Sequence, residues 1–373
     1  MLEPDSEAEP RFREAAMLTR MTIENFRGFR HLEVPVLPQV TLLTGSNGSG
    51  KTSLLEAVFA LYGRNTPAWI LNVQARRGFA RISAALGPRY TGLFYGFKDE
   101  GEATIRGQGH DGSKYRVQII RAASQLVTDV ALSTATAETA HAGTDLVLRS
   151  YHDEQLENES SLSWRLGKDG TPAPQIINAR PARPMAMLLH PGTKEAVDER
   201  GDVERFGAAK TAGRAQAIVN GLRLIHPMIE DVEFLPTQAG ENFYARTNGD
   251  YIPLGLLGGG VNNLLRYLVS LDYVRGGFLG IDEIENGIHH TALPDVFRTL
   301  VQRSIETDTQ LMMATHSGEA VSALSAVAQE YMPPLNQRIG AIHAARAADD
   351  AVRLTWFVGE ELTSSVELGY EIR

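Results

Sequence analysis

The chain has 373 residues, 43% of them hydrophobic and 22% charged, with no cysteine and a net charge of -9. This composition excludes a collagen-like fibre and a disordered tail, disulfides, thiol catalysis and cysteine-ligated metal, and a surface that coats nucleic acid over its whole extent. No apolar run reaches the roughly 18 residues of a membrane span, and the acidic first twenty residues lack an apolar signal segment, so a soluble, cytoplasmic chain without a membrane partner is expected.

Residues 1–16 are charged and aperiodic and are expected to form an extension. A strand is predicted over 21–29 and a second, alternating one over 31–36. Val40–Thr44 is a short apolar run of the kind that forms a buried parallel strand. A helix follows, with Leu54, Leu55, Val58, Leu61 and Tyr62 on one face and Gly63 as its C′ residue. From 64 to 180, short strand-like pieces at 92–97, 115–121, 145–151 and 161–166 suggest an antiparallel section. A helix is predicted within 193–226. Beyond 251 come a glycine run at 258–260, a helix carrying Val261, Leu264, Leu265 and Leu268, a strand at 278–281, a helix after Pro294, and a strand at 311–314. Strands alternating with helices imply a parallel sheet. Residues 339–373 alternate like a β-hairpin.

Gly45-Ser46-Asn47-Gly48-Ser49-Gly50-Lys51-Thr52 matches G-x-x-x-x-G-K-S/T between a strand and a helix, the context a phosphate loop requires. Glycines allow the backbone to curl so that successive N–H groups point at phosphate oxygens, and the helix N-terminus adds positive partial charge. Asn47, Gly48, Ser49, Gly50, Lys51 and Thr52 are therefore the candidate phosphate-binding residues, with Ser53 as a further contact. Lys51 is expected to reach the β- and γ-phosphates and Thr52 to ligate Mg²⁺.

The strand at 278–281 ends in Asp282-Glu283, a Walker B arrangement. Asp282 is the candidate metal ligand and Glu283 the candidate general base for an attacking water. The next buried strand ends in Thr315-His316-Ser317, which puts His316 at a strand C-terminus, where α/β folds place ligand contacts.

Taken together, Ile23 to Phe29 (with Asn25-Phe26-Arg27-Gly28-Phe29), the phosphate loop, Leu257 to Gly260, Asp282 to His289 and Ala314 to Ser317 resemble the ABC/SMC-type AAA-family ATPases. The resemblance is closest to the compact branch found in OLD-family nucleases, RecF-like proteins and phage-defence ATPases. It implies that Arg27 helps to hold the nucleotide, that Asn286 to His289 form a D-loop at a dimer interface, and that Gly258, Gly259 and Gly260 are a signature motif capping ATP on the other subunit. Two departures stand out: Leu257 occupies the place of the signature serine, and neither Gln74 nor Gln108 makes a convincing Q-loop glutamine. The TOPRIM nuclease domain of OLD proteins has no counterpart in the about 57 residues after His316. No D-x-D or H-E-x-x-H motif occurs, and heptads for SMC arms are missing.

The expected fold is α/β: an ABC-type P-loop NTPase with a mixed sheet, an antiparallel β section and an inserted helical and β region. The core is drawn at 17–63 and 227–373 with the insertion at 64–226. The expected cofactors are ATP and Mg²⁺. The expected activity is slow ATP hydrolysis by a homodimer or higher oligomer that controls a separately encoded nuclease or toxin in phage defence. The alternatives are a RecF-like repair clamp and a nucleotide-dependent scaffold that does not hydrolyse. Any DNA contact would be local, with Arg76-Arg77 and the Arg180/Arg183 pair as candidates.

Overall fold

The structure, a computed structural model, describes residues 16–64, 66–74, 90, 92–98, 101–121, 144–166, 172–179, 185–190, 196–237, 240–369 and 372. The chain begins with β1 (Leu18–Phe26), β2 (Phe29–Val34), β3 (Val40–Thr44), α1 (Lys51–Tyr62) and α2 (Ala68–Gln74). There follow β4 (Gly101–Gly109), β5 (Lys114–Arg121), β6 (Thr144–His152), β7 (Gln155–Leu166), β8 (Pro172–Ile177) and β9 (Ala186–Leu189). Then come α3 (Ala196–Thr211), α4 (Ala215–Arg223), β10 (Ile229–Thr237), β11 (Gly240–Thr247), β12 (Asp250–Pro253) and α5 (Gly259–Tyr273). The last part holds β13 (Phe278–Ile281), α6 (Leu293–Glu306), β14 (Gln310–Ala314), α7 (Gly318–Gln329), β15 (Ile339–Arg346), β16 (Val352–Val358) and α8 (Glu360–Glu367).

The expected α/β class is the one found: a mixed core sheet, an antiparallel section and further helical and β elements. The core sheet runs β16-β15-β3-β14-β13-β9. Its pairs from β15 to β9 are parallel and only the β15–β16 hairpin is antiparallel. Both faces of this sheet are covered, which explains why β3, β13 and β14 are buried at every position and appear in the sequence as unbroken apolar runs. Side chains alternate between two cores: Leu42, Leu279, Leu311 and Met313 pack with the helices α5, α6 and α7, and Leu43, Phe278 and Met312 face α1.

A second, seven-stranded antiparallel sheet, β2-β1-β4-β5-β6-β7-β8, closes over the other side of α1. The helix is thus enclosed between two sheets. Burial runs nearly all the way round it, beyond the single face seen in the sequence, and includes Glu56. An apolar helix without a polar face is what such a position requires.

Several local expectations change. The strand predicted over 21–29 is interrupted, because Arg27 takes a positive φ of 53° and the chain turns at Gly28 before β2. The piece at 92–97 is a turn with one bridge, Phe26 to Phe94, and a short 3-10 segment at Tyr95–Phe97. The helix predicted in 193–226 is two helices, separated at Gly213 (φ 72°). Residues 229–253 form a three-stranded sheet that the pattern did not reveal. The terminal hairpin ends at Val358 and is followed by α8.

The stretch 64–226 supplies β4 to β8 to the sheet begun by β1 and β2, and β9 to the core sheet. Residues 1–15, Arg76, Arg77, Arg180 and Arg183 lie outside the described residues. Among the described residues no helix is long and apolar enough to cross a membrane.

Candidate functional site

Parallel strands deliver their C-terminal ends to one edge of a sheet, and the loops that follow them meet there. β3 leads into the phosphate loop, β13 into Asp282-Glu283, β14 into Thr315-His316 and β9 into His190. The result is a cavity of about 760 Å³, with Asn47, Gly48, Gly50, Lys51, Thr52 and Ser53 in its wall. Asp282, Glu283, His316 and Arg27 line it as well. Residues 51, 282 and 316 are far apart in sequence, and only the strand order of the sheet brings them together.

The loop owes its shape to three glycines with positive φ, Gly45 (127°), Gly48 (77°) and Gly50 (104°). Gly50 is the left-handed N-cap of α1. Ser49 is fully buried beneath the loop and does not line the cavity wall. The Lys51 ammonium donates to the carbonyls of Gly45 (2.7 Å) and Ser46 (2.9 Å) and lies 3.3 Å from His316 Nδ1. An ammonium can only donate, so His316 Nδ1 accepts and the ring proton sits on Nε2. Burial pulls the Lys51 ammonium below the usual lysine range, against the opposing fields of Asp282, Glu285 and Glu283.

The Thr52 hydroxyl donates to Asp282 Oδ2 at 2.8 Å, and His190 Nδ1 lies 3.2 Å from the same oxygen. Burial by itself would raise the Asp282 carboxyl. The bonds from His190 and Thr52 and the Lys51 charge outweigh burial and hold the carboxyl below the usual range. A carboxyl that titrates lower in the folded chain than in the unfolded one, where 3.8 is ordinary, contributes stability that is complete above that value and lost as pH falls through the folded pKa. Asp282→Asn is therefore expected to flatten the acid limb of the stability–pH curve below about pH 4. Urea unfolding measured between acid and neutral pH checks this; an unchanged acid limb would count against it.

Glu283 is half-buried and takes φ 49°, an uncommon backbone state for a non-glycine residue and one that concentrates at functional sites. Its Oε2 accepts from Asn286 Nδ2 at 2.6 Å. The neighbouring acid Glu285 accepts the His316 backbone N–H at 2.9 Å, which ties the loops after β13 and β14 together.

Arg27 lies in the cavity wall, but its guanidinium is directed at protein groups. It pairs with Glu56 at 2.8 Å, where the two side chains are 3% and 1% exposed, and donates to the Gly92 carbonyl at 2.9 Å. Gly258, Gly259 and Gly260 do not line this cavity. They open α5 against the Gly287 carbonyl, largely exposed. Gln108 lies on β4 in a different depression, beside Arg20 and Arg116, and Gln74 ends α2.

Inspection of the sequence missed His190, Glu285, Glu56 and the pair Arg346–Asp350, which also lines the cavity. His190 had a signal, a short apolar run ending in His-Pro. The others became significant only through long-range packing.

The oxygen donors of Thr52 and Asp282, with room for phosphate oxygens and water beside them, suit Mg²⁺, a hard ion that prefers few protein ligands. Among the described residues no group of three or more His, Asp or Glu could hold a metal by itself.

Two family models match the chain: an AAA domain over residues 20–142, and "AAA domain, putative AbiEii toxin, Type IV TA system" over residues 176–322. A segment of 119 residues is 36% identical to the DNA replication and repair protein RecF of Brucella abortus (strain 2308), covering 31% of this chain and 29% of that protein. Another of 102 residues is 34% identical to RecF of Actinobacillus pleuropneumoniae serotype 5b, covering 26% and 28%. The chain thus spans under a third of the length of the curated relatives it matches. A solved Smc head bound to the C-terminal winged-helix domain of ScpA superposes with a TM-score of 0.49 at 13% identity, covering 93% of this chain and 99% of that one. The Smc head with an extended coiled coil from Pyrococcus furiosus gives 0.47 at 10% identity, covering 95% and 100%. The matched segments are AAA-domain sequence, one holding Lys51 and Thr52 and the other Asp282, Glu283 and His316. The narrower affinity with OLD-family nucleases is carried by none of these matches.

Proposed function

We propose that the chain binds Mg–ATP in this cavity and hydrolyses it slowly as an ATP-gated homodimer or higher oligomer. The observation that supports this most is the convergence of Lys51, Thr52, Asp282, Glu283 and His316 on one cavity. Thr52 and Asp282 would hold Mg²⁺, which would supply charge neutralisation for the phosphates. Lys51 reaches the β- and γ-phosphate oxygens from the loop side. Glu283 accepts a proton from water as the water oxygen bonds to the γ-phosphorus and the bond to the β–γ bridging oxygen breaks, leaving ADP and phosphate. His316, with its proton on Nε2, donates to the γ-phosphoryl group as charge develops. Exposed Gly258 to Gly260 cap the ATP of a second copy through backbone N–H groups at the start of α5, a role that Leu257 cannot assist with a hydroxyl.

The output of such a cycle is conformational, because ATP closes two copies and hydrolysis releases them. The toxin–antitoxin description of the match at 176–322 favours control of a separately encoded effector, a nuclease or toxin, in phage defence. The RecF segment favours a second reading, a repair clamp on duplex DNA. Affinity for a DNA duplex that rises with ATP and falls steeply with salt would favour the clamp.

Nucleotide-linked stability tests the binding step. At an ATP concentration a hundred times its Kd, binding adds about 2.7 kcal/mol, read as a rise in Tm. Wild type is expected to gain stability with ATP and Mg²⁺, and Lys51→Ala to gain none. An equal rise in both proteins would sink the proposed site.

A further inference from the structure

The sheet that closes over α1 has one face in the core and the other in solvent. The outer face of such an antiparallel sheet carries polar side chains, and cross-strand pairs of opposite charge stabilise it. Part of this face departs from that pattern. The register places Thr22 of β1 opposite Arg106 of β4, and Arg106 opposite Arg116 of β5. Two arginines thus stand directly opposite each other on neighbouring strands, an arrangement that lowers stability. One row along, Arg20 lies opposite Gln108 and Gln108 opposite Lys114. The four cations line one depression of about 390 Å³, on a chain whose net charge is -9.

Two of these charges are partly answered. Arg106 Nη1 donates to Glu24 Oε2 at 2.7 Å, and Arg116 Nη2 lies 3.3 Å from Glu154 Oε2. Arg116 is also fixed in place, with its guanidinium carbon 3.8 Å from the centre of the Tyr151 ring. The other two are not answered. Arg20 and Lys114 are exposed, and among the described residues neither side chain has an ion pair or a hydrogen bond.

The basic strip is short. Glu33 stands opposite Thr22 at one end of the first row, and Glu154 lines the depression at the other. Along the strands, Glu24 follows Thr22 on β1, and Asp153 accepts the Lys114 backbone N–H beyond the second row. The strip therefore holds two rows of cations, about 7 Å apart, twice the rise per residue of a strand. An extended peptide has the same repeat, because its side chains i and i+2 point to one side. Two carboxylates so placed would face one row each. A polynucleotide, charged at every unit, would carry further phosphates onto the surrounding acids.

We infer that this depression docks an acidic segment of a partner protein, held extended with carboxylates at alternate positions. It shares no lining residue with the cavity beside the phosphate loop, so the inference stands apart from the reading of that cavity.

The test uses the full chain and a short fluorescein-labelled peptide of alternating threonine and glutamate, with binding read as anisotropy at low salt. Wild type is expected to bind it, and not to bind the same peptide with glutamine in place of glutamate. Arg20 and Lys114 have no protein partner to lose, so the double variant Arg20→Gln/Lys114→Gln is expected to keep the wild-type melting temperature. It should bind the glutamate peptide about tenfold more weakly, as the loss of two exposed ion pairs implies. Arg20→Lys/Lys114→Arg keeps both charges and should bind as wild type does. No binding by wild type, equal binding of the two peptides, or an unchanged affinity in the glutamine double variant would overturn the site. So would a single-stranded oligothymidylate that binds wild type more tightly than the peptide and is lost in that variant, since the face would then serve nucleic acid.

Discussion

Glu283→Gln is expected to lower ATP turnover by about 10²- to 10⁴-fold and to leave ATP affinity near that of wild type. The amide keeps the size of the side chain and can still accept from Asn286 through its oxygen, so the local geometry survives. What it loses is the ability to take a proton from water. Because binding is retained and hydrolysis is not, ATP should also trap the closed oligomer. Phosphate release under single-turnover conditions, with sedimentation in the presence of ATP, measures both. Turnover close to wild type would remove Glu283 as the base, and undetectable turnover in the wild type would favour the non-hydrolysing scaffold instead.

Gly45→Ala is expected to have the largest effect on stability, a loss of about 3 kcal/mol or more. A Cβ at Gly45 would stand 2.1 Å from the Ala344 carbonyl oxygen and 3.1 Å from its carbon, at a φ of 127°. Backbone cannot rotate aside as a side chain can. Ala344 belongs to β15, whose parallel register with β3 pairs Ile342 with Leu43 and His343 with Thr44, so relief means parting two strands of the core sheet. Gly48→Ala is the control. It has a positive φ of 77° but nothing within 4 Å of the added carbon, so only the local backbone cost of about 1–2 kcal/mol applies. Urea midpoints of the two variants should separate clearly, and equal midpoints would show that the β3–β15 contact is softer than its geometry.

Much of the phosphate-loop wall of the candidate site was legible because its residues are contiguous. Gly45 to Ser53 need no partner from elsewhere to form a loop of inward N–H groups, and an apolar run before them and a helix after them are local features. The acids at 282 and 283 and His316 were legible for a related reason: each follows a short run that is apolar at every position, the mark of a strand covered on both faces. What could not be read was anything that depends on a neighbour across the sheet. His190 meets Asp282 because β9 pairs with β13 with Leu189 opposite Ile281. Arg27 lines the cavity, as the sequence suggests, but its pairing with Glu56, a buried acid on a helix that looked ordinary, could not be read. Phe97 sat in a stretch taken for a strand, where the glycines at 92 and 96 in fact make a turn.

By itself, then, the sequence determined the phosphate loop, the acidic strand end, the alternation of strands and helices, and the absence of thiol chemistry, since each depends on residue types close along the chain. The tertiary structure decided which strand ends share a cavity, which charges are spent on protein partners, and which cations gather on one face of the second sheet. Those outcomes depend on strand order and register, which are set by burying two apolar cores on opposite faces of one sheet.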